Sequence, residues 1–489
     1  MHTTAHRRRL LSTAMVLILL TTACQVEPAA DTPRWAGPGA APLTPAGASA
    51  APTVASPKAS PADCPDPRPA PRSASSLDPT AASYLGRDGD DIATAVDVSN
   101  SCELVVGGRI TGLTGGTTTT LGRGGAGAVV RLDGAGRRVL GITRLAGAVE
   151  DLEVRRDGGE IAVATDRGVW LLDARAGTAR WQRGKSASRV AVGAAGTVAA
   201  LSGTTVTVYD LKGATLATIL PQGRTVSDVA VDDRSGLVFV SGFRQVQSGP
   251  CVPVQIAYVH AYDRRGKMRW RAYDHPADRL GDLCADSRAD RVAMGRDGKL
   301  YLAGETAGGN SIFARSAADA TRPAPNVVID KFTQASNTSN AHYTYLARLD
   351  PASGRHLAGQ VVISRIDSKG DKGNTIKPYA ITADESGRVY AGGVSAYQIA
   401  ERSRITLGGR RLAPYAGGDA WVLVLSADLR RRTSWVVFTD GGSGAVRGVA
   451  ASSGVAAAVA KVDKGPFHRT RAVQSDAGGG YLAVWPGLP

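Results

Sequence analysis

The feature of this 489-residue sequence that most limits its fold is a short pattern that recurs seven times. Each copy has an apolar run, a turn rich in Asp or Gly, and a second apolar run, as in residues 228–242 and 379–393. Asp and Gly suit the positive-φ positions of tight turns, so each copy is predicted to form a β-hairpin. A single hairpin cannot bury both of its faces, and seven copies therefore predict a repetitive, stacked β architecture.

A third apolar run follows each hairpin, and it usually leads to an acidic residue: Asp133, Asp173, Asp210, Asp263, Asp350 and Asp428. A turn then leads to a fourth strand, which carries Trp in three units: Trp181, Trp270 and Trp435. Four strands in each of seven units predict an all-β, seven-bladed β-propeller over residues 81–489, with four-stranded blades. A β-helix has much shorter repeats, and a β-sandwich would not keep the four-strand register, so neither fits.

The two ends of the predicted propeller complement each other. The last unit has two strands and a third at residues 480–485, but it lacks a fourth. Residues 82–86 precede the first unit and have no partner there. We therefore predict that the last blade is closed by the N-terminal strand, because closure removes exposed sheet edges.

The repeats also resemble known families. Residues 173–181 and 263–270 resemble the PQQ-type propeller repeat, and residues 228–242 are similar to the bacterial seven-bladed β-propeller repeat. The first resemblance implies that Trp181 and Trp270 pack between neighbouring blades. Both resemblances specify architecture rather than activity, because propellers carry many functions. The vicinal Cys pair of some PQQ enzymes is absent from the sequence, and we predict no cofactor.

The first residues predict export. Three Arg at positions 7–9 precede an apolar run at residues 10–20, which is too short to span a bilayer. Together with small residues before Cys24, this segment resembles the bacterial lipoprotein signal, with Thr21 where that family usually has Leu. The resemblance implies removal of residues 1–23, lipidation of Cys24 and an extracytoplasmic position on the outer leaflet of the cell membrane. Ordinary cleavage after Ala23 would give a secreted protein instead.

Residues 24–80 are rich in Ala, Pro, Ser and Thr, and they are predicted to form a disordered tether. The net charge is +15, and it falls to +12 without residues 1–23, which hold three Arg and no acidic residue. Such a charge either draws the domain to anionic surfaces or reflects Arg spread over the loops. No basic platform interleaved with aromatic residues is present in the sequence, and we predict no nucleic-acid partner.

Connection lengths divide the predicted propeller into two faces. Connections between second and third strands, and between blades, are long in several units, whereas the remaining connections are short. Strands alternate in direction, so the long connections share one face, called the long-loop face below, and the others form the short-turn face. Binding residues concentrate in loops that a rigid scaffold positions. The long-loop face is therefore the predicted binding face.

The layout of the faces predicts the disulfides. Four cysteines remain besides Cys24, and an even number in an exported chain favours disulfides. Cys251 and Cys284 lie in neighbouring connections of the long-loop face, whereas Cys102 lies in a short turn near the entry of the tether that carries Cys64. We therefore predict the pairs Cys251–Cys284 and Cys64–Cys102.

The largest predicted loop, residues 306–344, supplies the candidate binding residues: Asn310, Arg315, Asn337, Asn340, His342 and Tyr343. This polar, aromatic-tipped mixture suits sugars or peptides, although the same loop could simply cap the central channel. Residues 111–120, rich in Thr, are expected to form an irregular loop. No residue set predicts catalysis, and the His and Cys spacings predict no metal site.

These observations predict a lipid-anchored propeller that works as a binding or scaffold protein for a protein or a cell-envelope polymer. The alternative is an enzyme on the same scaffold, either a quinoprotein-like oxidoreductase or a carbohydrate-active lyase or hydrolase. An enzyme would need several titratable groups or a metal at the channel mouth. The sequence leaves the oligomeric state open.

Overall fold

The computed structural model describes residues 78–486 except 88, 158, 250, 331–340, 367–371, 401, 415–417, 453, 471–472 and 474–477. The predicted signal peptide, the lipidation site Cys24, Cys64, nearly all of the tether, and the binding candidates Asn337 and Asn340 lie outside these residues. The described chain is all-β, and its sheets form a seven-bladed β-propeller with four-stranded blades. The predicted fold class is therefore confirmed.

Blades 1 to 4 follow one another in chain order, and each has its first strand innermost. Their strands are β2 (Ile92–Val98), β3 (Leu104–Arg109), β5 (Gly127–Leu132) and β6 (Val139–Leu145) in blade 1; β7 (Val149–Val154), β8 (Ile161–Thr165), β9 (Gly168–Leu172) and β10 (Ala179–Arg183) in blade 2; β11 (Arg189–Gly193), β12 (Thr197–Ser202), β13 (Thr205–Asp210) and β14 (Thr215–Ile219) in blade 3; and β15 (Thr225–Val231), β16 (Val238–Ser248), β17 (Cys251–Tyr262) and β18 (Met268–Ala272) in blade 4.

Blades 5 to 7 complete the ring, and blade 7 takes its fourth strand from the start of the domain. Their strands are β19 (Ser287–Met294), β20 (Leu300–Thr306), β22 (Tyr343–Leu349) and β23 (His356–Val362) in blade 5; β26 (Ile376–Ala383), β27 (Val389–Ser395), β30 (Asp419–Leu425) and β31 (Arg432–Val437) in blade 6; and β32 (Ser443–Ser452), β33 (Val455–Lys464), β34 (Gly480–Pro486) and β1 (Ala81–Leu85) in blade 7. Two small hairpins join β24 (Ser364–Ile366) with β25 (Lys372–Asn374) and β28 (Thr406–Leu407) with β29 (Arg410–Arg411).

The predicted closure is confirmed in blade 7. Strand β1 pairs antiparallel with β34, with Tyr84 opposite Tyr481, and all five residues of β1 are buried. The Tyr84 and Tyr481 rings lie 5.8 Å apart in an edge contact. The Tyr84 hydroxyl also accepts a hydrogen bond of 2.8 Å from the Phe467 amide. The first and last strands of the domain therefore share one sheet and one core.

The Asp that recurs at or just after most third strands has a structural role. Asp263 Oδ1 accepts the amides of Arg265 and Lys267, and Asp210 Oδ1 accepts those of Lys212 and Ala214. Each carboxylate thus satisfies backbone donors that the tight turn between the third and fourth strands leaves unpaired. The repeat needs Asp there because the turn needs an acceptor.

The recurring Trp joins neighbouring blades, as the PQQ-type resemblance implies. Trp181 Nε1 donates to the Leu211 carbonyl at 3.1 Å, and Trp270 Nε1 donates to the Pro351 carbonyl at 2.9 Å. Both acceptors lie in the turn between the third and fourth strands of the next blade. In one of these turns Gly354 has φ +70°, and a Cβ there would lie 2.5 Å from the Trp270 ring.

Two strands outside the repeat cover the outer edges of blades 1 and 5. Strand β4 (Thr117–Thr120) pairs parallel with β6, and β21 (Val327–Ile329) pairs parallel with β23. The expectation of an irregular loop at residues 111–120 is therefore wrong for its second half. Thr is β-branched and suits a strand, so the four consecutive Thr can form an added edge strand once a partner is present.

The hydrophobic core lies between the blades. One buried cluster combines Trp181 and Leu171 of blade 2 with Val190, Val198 and Tyr209 of blade 3. Another joins Val130 of blade 1 to Leu482 of blade 7. Each sheet therefore buries its faces against its neighbours, as the repeat requires. Among the described residues no helix is both long and apolar enough to cross a membrane.

Candidate functional site

The two faces of the ring differ as predicted. Each connection on the short-turn face has six residues or fewer. Two examples are the connections at residues 155–160 and 263–267. On the long-loop face the connections at 110–126, 307–342 and 396–418 are far longer. Large, non-repeated elements are therefore concentrated on one face of the ring.

The central channel is lined by the first strands of the blades and has a volume of about 140 Å³. Six of the seven first strands carry a β-bulge at the same place, near their long-loop end. A bulge redirects a side chain. The bulged residues, all half-buried, are Thr94, Glu150, Ser227, Asp290, Tyr379 and Arg447. The Arg447 guanidinium lies 4.7 Å from the Tyr379 ring centre, so the channel mouth presents polar and aromatic groups on the long-loop face.

Two arginines cross the channel at its short-turn end. Arg156 of blade 2 donates to Asp233 Oδ2 at 2.6 Å and to the Gly295 carbonyl of blade 5 at 3.0 Å. Arg296 of blade 5 donates to the Val98 carbonyl of blade 1. These bonds link blades on opposite sides of the ring. They narrow the channel at the short-turn end, whereas the bulged residues form its mouth at the other end.

Acidic side chains in the channel wall connect neighbouring blades. Each carboxylate accepts a hydrogen bond from a backbone amide in the first strand of the next blade. The donor–acceptor distances are 2.8 Å for Val154 N to Asp97, 3.1 Å for Val190 N to Asp151, 3.0 Å for Val192 N to Glu153 and 3.0 Å for Val292 N to Asp228. Burial raises the pKa of Asp151 to about 6 and that of Glu153 to about 8. These carboxyl groups therefore help to hold neighbouring blades together, and the pKa values of Asp151 and Glu153 are raised because the two groups are buried.

The four described binding candidates do not lie in one cluster. Asn310 Nδ2 donates to the Asp282 carbonyl at 2.6 Å, beside the connection between blades 4 and 5. Arg315 is half-buried, and its backbone pairs with that of Pro323. Tyr343 is 2 % exposed within β22, so its side chain belongs to the core rather than to the surface. Of the four described candidates, only His342 lies in a polar cluster near the channel mouth.

That cluster surrounds the Glu305 carboxylate. His342 Nδ1 lies 3.2 Å from Oε1, Arg288 Nη1 lies 2.9 Å from Oε1, and Lys377 Nζ lies 3.2 Å from Oε2. Burial opposes ionisation of Glu305, but hydrogen bonds from His342 and Lys377 outweigh it and lower the pKa to about 2. Nearby Asp290 has its pKa raised to about 7 by burial and by the Glu305 charge. Blades 5 and 6 thus present a mixed-charge rim.

The described part of the longest connection does not cap the channel. The amide of Tyr273, which follows the outermost strand of blade 4, donates to the Ala317 carbonyl, and β21 lies on the outer edge of blade 5. Residues 307–330 therefore run outward across blades 4 and 5. Phe313 packs there on Tyr345, with ring centres 4.1 Å apart. This part of the loop therefore does not cover the central channel, which was the alternative to a binding role.

The Cys251–Cys284 disulfide is present, with Cα atoms 4.9 Å apart and a sequence separation of 33. Strands β16 and β17 stay paired out to Ser248 and Cys251, so they form an extended hairpin, and the disulfide ties its tip to the connection that leads to blade 5. Cys102 is disulfide-bonded, and its predicted partner Cys64 lies outside the described residues, so that pairing stays a prediction.

Sequence reasoning missed the arginines that cross the channel and a cluster around Asp274 in blade 4. Arg156 and Arg296 occupy equivalent positions after the first strands of blades 2 and 5, so aligning the repeats could have found them. No comparable signal marks Asp274, because Asp274 and its three partners come from four different strands or strand ends. In the part of the chain that is described, no group of three or more His, Cys, Asp or Glu could hold a metal ion.

Comparisons with known proteins assign no family to this chain. No protein-family model matches the chain, and no curated protein matches it. Among solved structures, a chain of the structure described as "Crystal Structure of Mitotic Checkpoint Complex" is similar, with a TM-score of 0.45 and 11 % identity. The match covers 86 % of this chain and 97 % of that one.

Proposed function

We propose that this protein is a lipid-anchored, extracytoplasmic β-propeller that binds a protein or a cell-envelope polymer through its long-loop face. The observation that carries the proposal is the difference between the two faces. The short-turn face has uniform turns and crossing arginines. The opposite face has a disulfide-tied hairpin, long connections and the mixed-charge rim around Glu305.

The start of the domain supports this orientation. Strand β1 begins at Ala81, close to the short-turn end of blade 7, since Ala81 pairs with Val484. Arg137, in a short turn of blade 1, donates to the Thr80 carbonyl at 3.4 Å. Asp78 accepts the Gly408 amide at 3.0 Å, so the residues just before β1 also contact the 396–418 connection of the long-loop face.

The enzymatic alternatives have less support. Four acidic groups of the channel wall already accept backbone amides of a neighbouring blade, so they have a structural role that explains their type and position. The remaining polar groups at the mouth, including His342 and Lys377, contact Glu305 in an arrangement of opposite charges that suits recognition of a polar surface.

Capture from envelope fractions tests the binding role. A double variant, His342→Ala with Lys377→Ala, alters the long-loop rim, and Arg265→Ala with Lys267→Ala alters a short turn of blade 4 as the matched control. We expect the first variant to lose the captured partner and the control to keep it, with both folded by thermal unfolding. Equal capture by both would contradict the proposal.

The anchor has its own test. We expect the parent chain to fractionate with membranes and Cys24→Ser to appear in the soluble fraction, because a chain without the lipidated Cys has only charge attraction to the bilayer. Mass spectrometry of the mature N-terminus should find lipid on Cys24. If the mature chain instead begins at an unmodified Cys24, the protein is secreted rather than lipid-anchored, and the proposed binding role is unaffected.

A further inference from the structure

We infer that the long-loop face holds a binding site for a ligand with a terminal oxyanion, a carboxylate or a phosphate, next to an apolar group. The site is a cavity of about 390 Å³ between blades 3 and 4. It rests on the proposed binding role of this face. It goes beyond that role because it names the group that is recognised and the residues that recognise it.

The cavity is positively charged: among the described residues that line it, there is no Asp or Glu. Its charged lining residues are Arg224 and Arg244, and Leu220, Pro221 and Phe243 supply apolar surface beside them. Leu220 is 53 % exposed, so its side chain is free to contact a ligand. The volume falls within the range of small-molecule sites, about 300–1,000 Å³.

The two arginines are held by one buried carboxylate. Asp274, whose side chain is 2 % exposed, accepts Arg244 Nε at 2.6 Å and Arg224 Nη2 at 2.8 Å. His260 Nε2 lies 2.8 Å from the same carboxylate. These residues come from all four strands of blade 4 or from their ends: Arg224 precedes the first, Arg244 lies in the second, His260 lies in the third and Asp274 follows the fourth.

This arrangement fixes the guanidinium groups without neutralising them. Two positive charges face a single carboxylate, and Asp274 stays ionised, because hydrogen bonds from His260, Arg244 and Arg224 lower its pKa despite burial. Arg224 and Arg244 line the cavity with side chains that are 23 % and 18 % exposed, and each guanidinium has more N–H donors than its bond to Asp274 uses. A guanidinium with an unused donor suits an oxyanion, since Arg binds carboxylate and phosphate groups through paired N–H donors.

Hydrogen bonds within the protein hold both arginine side chains in place before a ligand binds. Arg224 Nη1 donates to the Gln222 carbonyl at 2.8 Å, and its guanidinium lies 5.7 Å from the Tyr258 ring centre. Arg244 Nη2 donates to the His275 carbonyl. Binding therefore does not have to restrict two long side chains, which is one of the main costs of ion pairing at a surface.

Calorimetric titration of the purified full chain at low ionic strength tests the site. The probes are inorganic phosphate and N-acetylleucine, with leucine amide as the probe that lacks an oxyanion. We expect one or both oxyanions to bind, leucine amide not to bind, and added salt to weaken binding. Binding of phosphate alone assigns a phosphate ligand, and binding of N-acetylleucine alone assigns a carboxylate ligand.

Variants separate this site from general charge attraction. Arg224→Gln and Arg244→Gln should each weaken binding about tenfold or more, as loss of a charge-assisted hydrogen bond does. Leu220→Glu adds a negative charge at an exposed position, so it should weaken binding without affecting folding. Arg265→Gln, in a short turn of the same blade, should leave affinity unchanged.

Absence of binding by both oxyanions, or equal affinity in Leu220→Glu and the parent, would overturn the inference. Either result leaves the envelope-capture test of the whole face intact, because that test alters His342 and Lys377 on blades 5 and 6. Conversely, a chain that captures no envelope partner but binds an oxyanion through Arg224 would lose only the proposed macromolecular partner.

Discussion

Gly354 is a single residue on which two blades depend. It has φ +70°, in the left-handed region, and a Cβ added there would meet the Trp270 ring at 2.5 Å. The same turn supplies the Pro351 carbonyl to Trp270 Nε1. Turn conformation and contact between blades are therefore set by one glycine, which explains why Gly and Trp occur together in the repeat.

Replacing Gly354 by Ala tests two requirements at this position: a left-handed backbone conformation and space for the Trp270 ring. Gly203→Ala is the matched control, because Gly203 has φ +59° and no atom within 4 Å of an added Cβ. We expect Gly203→Ala to lower the free energy of unfolding by about 1–2 kcal/mol, the cost of a left-handed Ala. Gly354→Ala should cost clearly more, because Trp270 must also move. Denaturant titration of both variants measures the difference, and equal losses would remove the packing argument.

Glu153 makes stability depend on pH. Its pKa is about 8 in the folded protein, mainly through burial and secondly through Asp97, against an ordinary value of about 4.3. The folded state therefore keeps a proton that the unfolded chain releases between these values. The stabilisation is complete below about pH 4 and is lost as pH rises to about 8.

Glu153→Gln should remove this loss, because Gln stays neutral and keeps an oxygen for the Val192 amide. Relative to the parent, the variant should gain stability progressively from pH 4.5 to 8.5 in denaturant titrations. Asp151→Asn should show a similar gain that is complete near pH 6, where the raised pKa of Asp151 lies. Parallel pH profiles for parent and Glu153→Gln would contradict the burial of an uncharged Glu153.

At the scale of elements, strand β1 closes the ring. Its five buried residues form the fourth strand of blade 7, and the edge of β34 has no other partner strand among the described residues. A chain that begins after residue 85 should lose its cooperative thermal transition, since blade 7 would expose an apolar face and a free edge. A chain that begins at residue 60 is the control and should unfold like the parent. A cooperative, unshifted transition without β1 would disprove the role of closure.

The disulfide acts on a smaller element, the β16–β17 hairpin. Its tip rises beyond the ring and is tied to the neighbouring connection by Cys251–Cys284. Cys251→Ser with Cys284→Ser should leave the global transition nearly in place while raising the rate of limited proteolysis near residues 249–250. The reason is that local opening of the tip becomes easier once the crosslink is gone. An unchanged cleavage rate would show that packing alone holds the tip.

At the scale of the whole molecule, the crossing arginines join opposite sides of the ring. Arg296→Gln removes the donor to Val98 and a cation 3.5 Å from Asp97. Since a hydrogen bond to a charged group contributes about 1.5–3 kcal/mol, the variant should unfold at a clearly lower temperature. Arg175→Gln, exposed in a short turn, is the control and should change little. Equal transitions would mean that contacts between adjacent blades alone hold the ring.

The repeat made the ring predictable, and its exceptions made the site difficult to predict. Blade number, strand order, closure by β1 and the Cys251–Cys284 pair all follow from patterns that each blade shares or from the two faces that those patterns define. Tyr343 was misplaced because an aromatic residue next to a polar loop can equally begin a buried strand. The cluster around Asp274 could not be predicted, because its four members are spread over the whole of blade 4 in sequence and meet only when the blade folds.

The sharing of blade 7 between the two ends of the domain fixes the order of events during synthesis. Strand β1 is made before the other described strands of the ring, whereas its partner β34 is made after them, so β1 stays unpaired until the rest of the ring has been produced. The pairing joins residues about 400 positions apart, and such distant contacts form slowly. A nascent chain therefore carries one open sheet edge while the ring is being synthesised. Synthesis of β34, rather than completion of any earlier blade, is the step that commits the molecule to its folded ring.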